Sequence, residues 1–305
     1  MQTKAVKSDL LLLLIAAIWG FGFVAQRRGL EFVGPFTFNG IRFALGSLSL
    51  IPLVLISQRR HNRLSGVLPK AGTRTLLMGG GLAGAALFIG ASLQQVGMIY
   101  TTAGNAGFIT GLYVVIVPLL GLFWRQRPSV GTWLGAILAA FGLFLLSVTE
   151  QFTIGFGDLL ELVGAFFWAG HVLLIGWLSP RLDALKLSAL QFAVCSLLSL
   201  VTAFCIETVS FGGILAAALP ILYGGLISVG VAYTMQVVAQ RDSHPAHTAV
   251  ILSAEGVFAA FGGWLLLGEV LAPRALLGCS LMLGGMLLSE LWIFIFHYRS
   301  STSAA

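Results

Sequence analysis

Residues 75–124 read TLLMGGGLAGAALFIGASLQQVGMIYTTAGNAGFITGLYVVIVPLLGLFW and contain no Asp, Glu, Lys or Arg. Fifty uncharged residues are two membrane passes at about 20 residues each. Tyr100-Thr101-Thr102 supplies the only polar turn between them, and Arg74, Arg125 and Arg127 flank the whole stretch. The rest of the 305-residue chain follows the same rule: it is 58% hydrophobic and 9% charged, against about 25% charge in an average soluble domain. So few charges cannot solvate the outside of a soluble protein of this composition. A mean hydropathy of +0.97 makes lipid the solvent and excludes an ordinary soluble enzyme or nucleic-acid-binding module. The net charge of +6 has a different meaning here, because the basic residues fall between apolar runs, where they write membrane topology.

Working outward from 75–124, charges and prolines cut the chain into ten spans. Residues 10–26 form the first; they lack a small-x-small cleavage site and end in Arg27-Arg28, so they read as a retained helix and not a signal peptide. The second runs over 35–56 and the fifth over 129–148. The sixth to tenth occupy 158–179, 187–206, 220–240, 245–268 and 273–296. Seven of the nine prolines fall at or between span ends, where a missing N–H costs little, and only Pro52 and Pro118 lie inside. Pro118 is expected to kink its helix. Cys195, Cys205 and Cys279 all sit in apolar runs and imply neither a disulfide framework nor a metal cluster.

Alternate loops divide the basic residues unevenly. The side holding the N-terminus collects 13 Lys/Arg and the other side three, Arg27, Arg28 and Arg274; Arg42 lies within the second span. The positive-inside rule then puts both termini in the cytoplasm.

The chain also repeats itself. At an offset of 149 residues Trp19 falls on Trp168, Arg42 on Gln191 and Phe43 on Phe192; at 143, Ala103 falls on Ala246, Ala106 on Ala249, Gly135 on Gly278 and Gly142 on Gly285. The change of offset is one six-residue deletion, where a long basic loop of the first copy faces a short acidic one in the second. This orders ten spans as five plus five, in units 1–150 and 151–305. Five is odd, so the second unit enters the membrane inverted. The expected fold is an all-α integral membrane protein of two inverted five-helix repeats, an architecture of transporters.

Ala17-Ile18-Trp19-Gly20, the run from Gly34-Pro35 to Arg42-Phe43, and Thr101-Thr102-Ala103-Gly104-Asn105-Ala106-Gly107 resemble the first EamA repeat of the drug/metabolite transporter superfamily. Ser253-Ala254-Glu255-Gly256 and Trp264-Leu265-Leu266-Leu267-Gly268-Glu269 are similar to the second. The resemblance covers about 10–291 and implies a ten-helix exporter or exchanger of small metabolites, with a central cavity lined from both repeats. The chain departs from that family's pattern twice. Glu255-Gly256 stands where the family often has Glu-Pro, and Gln126 stands at the place matching Glu269.

Several residues carry chemistry in an otherwise apolar setting. Glu255 lies near the middle of the ninth span, where a carboxylate costs about 2.5 kcal/mol or more to insert. It reads as a proton-coupling or substrate-amine site, or as a structural acid bonded to a neighbouring helix. Arg42, in the second span, could meet an anionic solute or pair with a carboxylate or carbonyls. Trp19 and Trp168 are repeat mates near span midpoints, whereas membrane tryptophans favour interfaces. They suit either an aromatic wall for an apolar or cationic solute or packing between repeats. His171 shares a face with Trp168. Asn105, Gln94, Gln95 and Gln236 must find partners in lipid, from solute or from other helices. Gly79-Gly80-Gly81 with Gly84 reads as close helix packing, and His244 and His247 as meeting water at the cytoplasmic end.

The leading function is a secondary transporter of a small organic solute, amino-acid-like or amine-bearing. Its partners are the lipid bilayer and the solute, with protons as a coupling ion, no nucleic acid and no cofactor. A monomer or weak dimer in the bacterial cytoplasmic (inner) membrane is expected. A polytopic membrane enzyme and a solute channel are the alternatives. No His-Glu-x-x-His, Gly-x-Ser-x-Gly or selectivity-filter repeat supports either, and the absence of a phosphate loop leaves gradients or a partner as the energy source.

Overall fold

The computed structural model describes residues 2–63, 72–123, 125, 128–147, 155–241, 243–270 and twelve positions within 273–292. Among the described residues, eight helices are long and apolar enough to cross a membrane. In chain order the longer helices are α1 (Gln2–Gly29), α2 (Pro35–Arg63), α3 (Thr73–Gly97), α4 (Ala103–Phe123), α5 (Val130–Ser147), α6 (Phe156–Leu178), α7 (Ala184–Ile206), α8 (Ala218–Ala239), α9 (Pro245–Leu267) and α10 (Leu276–Gly285), with a short helix, Phe211–Ala216, before α8. The apolar parts of α5 and α10 are the shorter ones. No strand occurs among the described residues. The boundary near residue 150, the basic loop over 64–71, Gln126, Cys279 and the end of the tenth span lie outside them.

The outside is apolar, and the polar side chains of the spans face inward. Leu48, Leu53, Ile56, Leu77, Leu82, Phe204 and Leu219 are exposed, while Asn39, Arg42, Gln95, Glu161, His171, Gln191, Gln236 and Glu255 are buried. A water-solvated fold does the reverse; this distribution belongs in hydrocarbon, where polar side chains must face one another.

Small residues set the packing. α3 lies against α6 and α7, α2 against α7 and α8, and α9 against both α1 and α4. The glycine stripe of α3 makes the first of these contacts: a Cβ on Gly84 would come 2.7 Å from the Gln191 carbonyl, and one on Gly80 would meet Leu190 at 2.6 Å. α10 meets α5 the same way, with the Gly285 position 2.5 Å from the Gly135 carbonyl.

Three helices depart from regular α geometry. α4 breaks at Gly111-Leu112, between Ala103–Thr110 and Tyr113–Phe123, upstream of the Pro118 where the sequence suggests a kink. α9 breaks at Ser253-Ala254, directly before Glu255, although no proline follows the glutamate. α8 carries a wide-turned π-helical stretch over Tyr223–Tyr233. Such stretches are rare and concentrate at functional sites.

The two ends of the bundle are stitched by polar contacts. At the end where α1 begins, Ser8 Oγ donates to the Ala239 carbonyl, Asp9 Oδ1 meets His247 Nε2 at 3.0 Å, and Arg241 donates to the carbonyls of Ser179 and Leu182. His247 is therefore paired and not simply hydrated. His244 caps α9, its Nδ1 accepting the Ala246 N–H. At the opposite end, Arg27 donates to the Met98 carbonyl at 2.6 Å, and Thr101 Oγ1 to Asp158 Oδ1 at 2.7 Å. Cys195 is buried, Cys205 is exposed, and both are free.

Candidate functional site

The irregular helices converge on one central cavity. α1 contributes Trp19, Phe23 and Gln26; α2 Arg42; α3 Gln94; α4 Thr110 and Tyr113; α6 Trp168, His171 and Val172; α8 Ser228, Tyr233 and Gln236; α9 Leu252 and Glu255. Both halves of the chain line it, and α5, α7 and α10 do not. The cavity volume is about 30 Å³. In this conformation the cavity is narrow and takes water, not a metabolite. A second, open hollow of about 520 Å³ lies at the end opposite the N-terminus, between Arg27, Phe32, Pro35, Ile99 and Thr208.

Breaks in α4 and α9 put side chains where a straight helix could not. Glu255 begins the second half of α9 and is 4% exposed. Tyr113 begins the second half of α4, and its buried hydroxyl faces Glu255 without completing a well-formed hydrogen bond.

Tyr233 centres an aromatic cluster. Its ring centroid lies 4.5 Å from Trp19, 6.2 Å from Trp168 and from Phe43, 6.1 Å from Phe192, and 6.3 Å from the His171 ring. The repeat mates Trp19 and Trp168 thus flank one tyrosine. The 143-residue offset sets Gly90 against Tyr233, and a Cβ on Gly90 would touch the Trp168 ring at 3.2 Å. One half of the chain fills this position with an aromatic ring, and the other leaves it open for a tryptophan.

Arg42 is 2% exposed, and the Phe38 and Phe43 rings lie 5.6 and 5.0 Å from its guanidinium carbon. Its Nε makes no hydrogen bond, and among the described residues no carboxylate pairs with it. Arg42 and Glu255 therefore line one cavity without pairing with each other. The repeat mate of Arg42 behaves differently: Gln191 Oε1 accepts from His171 Nε2 at 2.9 Å, so His171 is held structurally while its ring borders the cavity. Trp19 Nε1 donates to the Ser228 carbonyl, whereas Trp168 Nε1 and Gln236 Oε1 are buried without partners. Gln94 Nε2 donates to Gln26 Oε1, and Gln95 Nε2 to the Gln26 carbonyl, which ties α3 to α1 beside the cavity.

Of the residues singled out from sequence, Trp19, Arg42, Gln94, Trp168, His171, Gln236 and Glu255 come together at this cavity. Asn105 does not line it. That residue lies in the first turn of α4, where its N–H is capped by Thr102 Oγ1. Sequence reasoning passed over Tyr233, Tyr113, Thr110 and Ser228, which look ordinary in apolar runs. It also passed over Glu161, in the second turn of α6, where acids are commonplace.

The sequence profile of the EamA-like transporter family matches residues 6–148 and again 155–291. The chain belongs to that family. An uncharacterized transporter of Archaeoglobus fulgidus is 32% identical over 290 residues, covering 94% of this chain and 87% of that one. The uncharacterized transporter YoaV of Bacillus subtilis is 24% identical over 290 residues, 93% and 97% of the two chains. A solved structure, described only as the crystal structure of a protein, superposes with a TM-score of 0.70 at 16% identity over 95% of this chain and 97% of its own; it shares the fold. This EamA-like protein is thus a multi-pass membrane protein of a transporter family. Its cavity has the makings of a solute site: aromatic walls, a buried guanidinium and a carboxyl group that do not pair, and buried hydrogen-bonding atoms without partners.

Proposed function

We propose that this EamA-like protein is a secondary transporter that exports or exchanges an amino-acid-like zwitterion by alternating access. The observation that carries the substrate class is Arg42. A buried guanidinium without a carboxylate partner is costly, and it lines the same cavity as Glu255. A solute bearing a carboxylate and an ammonium can meet both, with its side chain against Trp19, Trp168 and Tyr233. Scattered single polar groups suit a solute cavity better than a catalytic cluster.

Two inverted five-helix units, 1–150 and 151–305, supply the rocking parts. The twofold match of the family profile, the breaks at like positions in α4 and α9, and the glycine contact of α5 with α10 all support this division. The loop charges favour both termini in the cytoplasm, in a bacterial cytoplasmic membrane. A cysteine at Ser65 in a cysteine-less background is then expected to resist thiol reagents added outside. Protons are the coupling ion this reading favours, with Glu255 as their carrier.

A thermal-shift panel on the purified protein tests the substrate class with amino acids, amines, nucleosides and organic acids. A ligand at about 100 times its Kd adds about 2.7 kcal/mol of stability. Amino acids are expected to stabilise the wild type and to lose that effect in Arg42→Gln and in Glu255→Gln. A response confined to amines or to organic acids would overturn the zwitterion, and linear conductance in place of saturable counterflow would overturn the carrier.

A further inference from the structure

A second carboxylate is buried among these helices, away from the cavity wall. Glu161 is the sixth residue of α6, about 7 Å from its start at about 1.5 Å per residue, and its exposure is 0%. Thr110 Oγ1 donates to its Oε2 at 3.2 Å, while Oε1 is buried and has no hydrogen-bond partner. The room for Oε1 is the groove left by a glycine: a Cβ on Gly97 would stand 3.0 Å from Oε1 and 3.0 Å from the Gly157 carbonyl. Among the described residues no cation pairs with Glu161.

A carboxylate buried at a helix–helix contact in lipid must be paired, well hydrogen-bonded or protonated. Glu161 is not paired, and one long hydroxyl bond does not satisfy two anionic oxygens. One proton on Oε1 satisfies the group without any further partner. Polar residues lie on either side of Glu161. Asp158 lies one turn earlier on the same face of α6 and is bonded to Thr101 at the end opposite the N-terminus. Thr110 bonds Glu161 and also lines the cavity that holds Tyr113 and Glu255.

We propose that Glu161 is a proton-binding site, reached from the Asp158 end of the molecule and joined through Thr110 to the central cavity. This deepens the proton-coupling reading given above. The step is proton transfer alone: an O–H bond forms at Oε1 as one breaks on hydronium at the Asp158 end, and in the onward transfer that Oε1–H bond breaks as an O–H bond forms on the Glu255 carboxylate. The ionisable groups that act on Glu161 are acidic, Asp158 on α6 and Glu255 on α9. α3 presents Gly97, α4 presents Thr110, and Arg27 of α1 is committed to the Met98 carbonyl.

Infrared spectroscopy of the full-length protein in lipid nanodiscs, scanned in pH, reads this site without any solute. The carbonyl stretch of protonated carboxyl groups is expected to hold a component lost in Glu161→Gln and a second lost in Glu255→Gln. Thr110→Val keeps Glu161 in place and is expected to shift only the first. A Glu161→Gln spectrum identical to wild type at every pH overturns the proton site, and an unmoved band in Thr110→Val overturns its link to the cavity. Absence of solute counterflow would fail the transport reading and leave these bands as they are, so the two failures are distinguishable.

Discussion

Glu269, just past the end of α9, holds Ala103 at the start of α4. Its carboxylate accepts the Ala103 N–H at 2.9 Å and the adjacent Gly104 N–H at 3.1 Å. At the same end Glu207, after α7, takes the N–H groups of Phe36 and Thr37, both at 2.8 Å, and the Thr37 hydroxyl at 2.6 Å. In each case an acid from the second half of the chain caps a helix of the first, where the helix dipole favours negative charge. The repeat offsets put neutral residues at the matching places, Gln58 for Glu207 and Gln126 for Glu269. Ionic capping between halves is thus written into one end of the molecule.

Removing either acid should loosen that end. Glu269→Gln and Glu207→Gln are each expected to cost about 1–2 kcal/mol, the scale of a hydrogen bond to a charged group, and to lower the thermal midpoint. A cysteine at Val33, beside the open hollow, should label faster in both variants. Unchanged labelling and midpoint would show that the caps do not hold the halves together.

Gly268 makes the Glu269 cap possible. Its φ of +70° turns the chain left-handed after α9, and the Glu269 N–H then closes on the Gly263 carbonyl at 3.1 Å. Gly268→Ala is expected to cost about 1 kcal/mol from the strained backbone, and Gly268→Asn less, as measured by thermal unfolding.

Arg42→Gln installs the residue that its repeat mate already carries. The variant should fold, because it removes a buried unpaired charge, and should bind an amino-acid solute at least about tenfold more weakly, or about 1.4 kcal/mol. Arg42→Lys should recover little of this affinity, since a lysine ammonium lacks the planar fork that grips a carboxylate. Binding titration on the two variants separates charge from geometry.

Tyr233→Ala should both destabilise and widen the site. Loss of a buried aromatic ring costs about 3 kcal/mol or more, while Tyr233→Phe, which keeps the ring, should stay within about 1 kcal/mol of wild type. If Tyr233 sets the narrowness of the cavity, the alanine variant will respond to bulkier solutes in the thermal-shift panel. An unaltered size preference would remove Tyr233 from selectivity.

His244 gives one end of the molecule a pH dependence. Burial, and then neighbouring His247, lower its pKa below the ordinary 6.5, so the folded protein favours the neutral ring that caps Ala246. The unfolded chain takes up the proton first as pH falls. Stability from this group is therefore full above about pH 6.5, declines as acid is added, and levels off below the folded pKa. His244→Asn, which caps without titrating, should flatten the acid side of a thermal-stability profile, with the His247–Asp9 pair left in place.

The sequence by itself determined the solvent, the helical class and the positions of most helices. A charge-free run such as 75–124 has only one stable form in hydrocarbon, because every backbone N–H must be bonded within its own segment. It also singled out Trp19, Trp168, Arg42, His171, Gln236 and Glu255, since polar or bulky aromatic groups in apolar runs are conspicuous. Only the tertiary structure decided which of these meet. It gathered these six and Gln94 around one cavity, left Asn105 at a helix start, gave His171 to Gln191 and left Arg42 without a carboxylate. It also disclosed Glu161 and Tyr233, and moved the break in α4 from Pro118 to Gly111-Leu112. The physical reason is that lipid and core are equally apolar, so periodicity cannot tell the outward face of a membrane helix from the inward one. That distinction rests on where small residues such as Gly84, Gly90 and Gly97 let two helices touch.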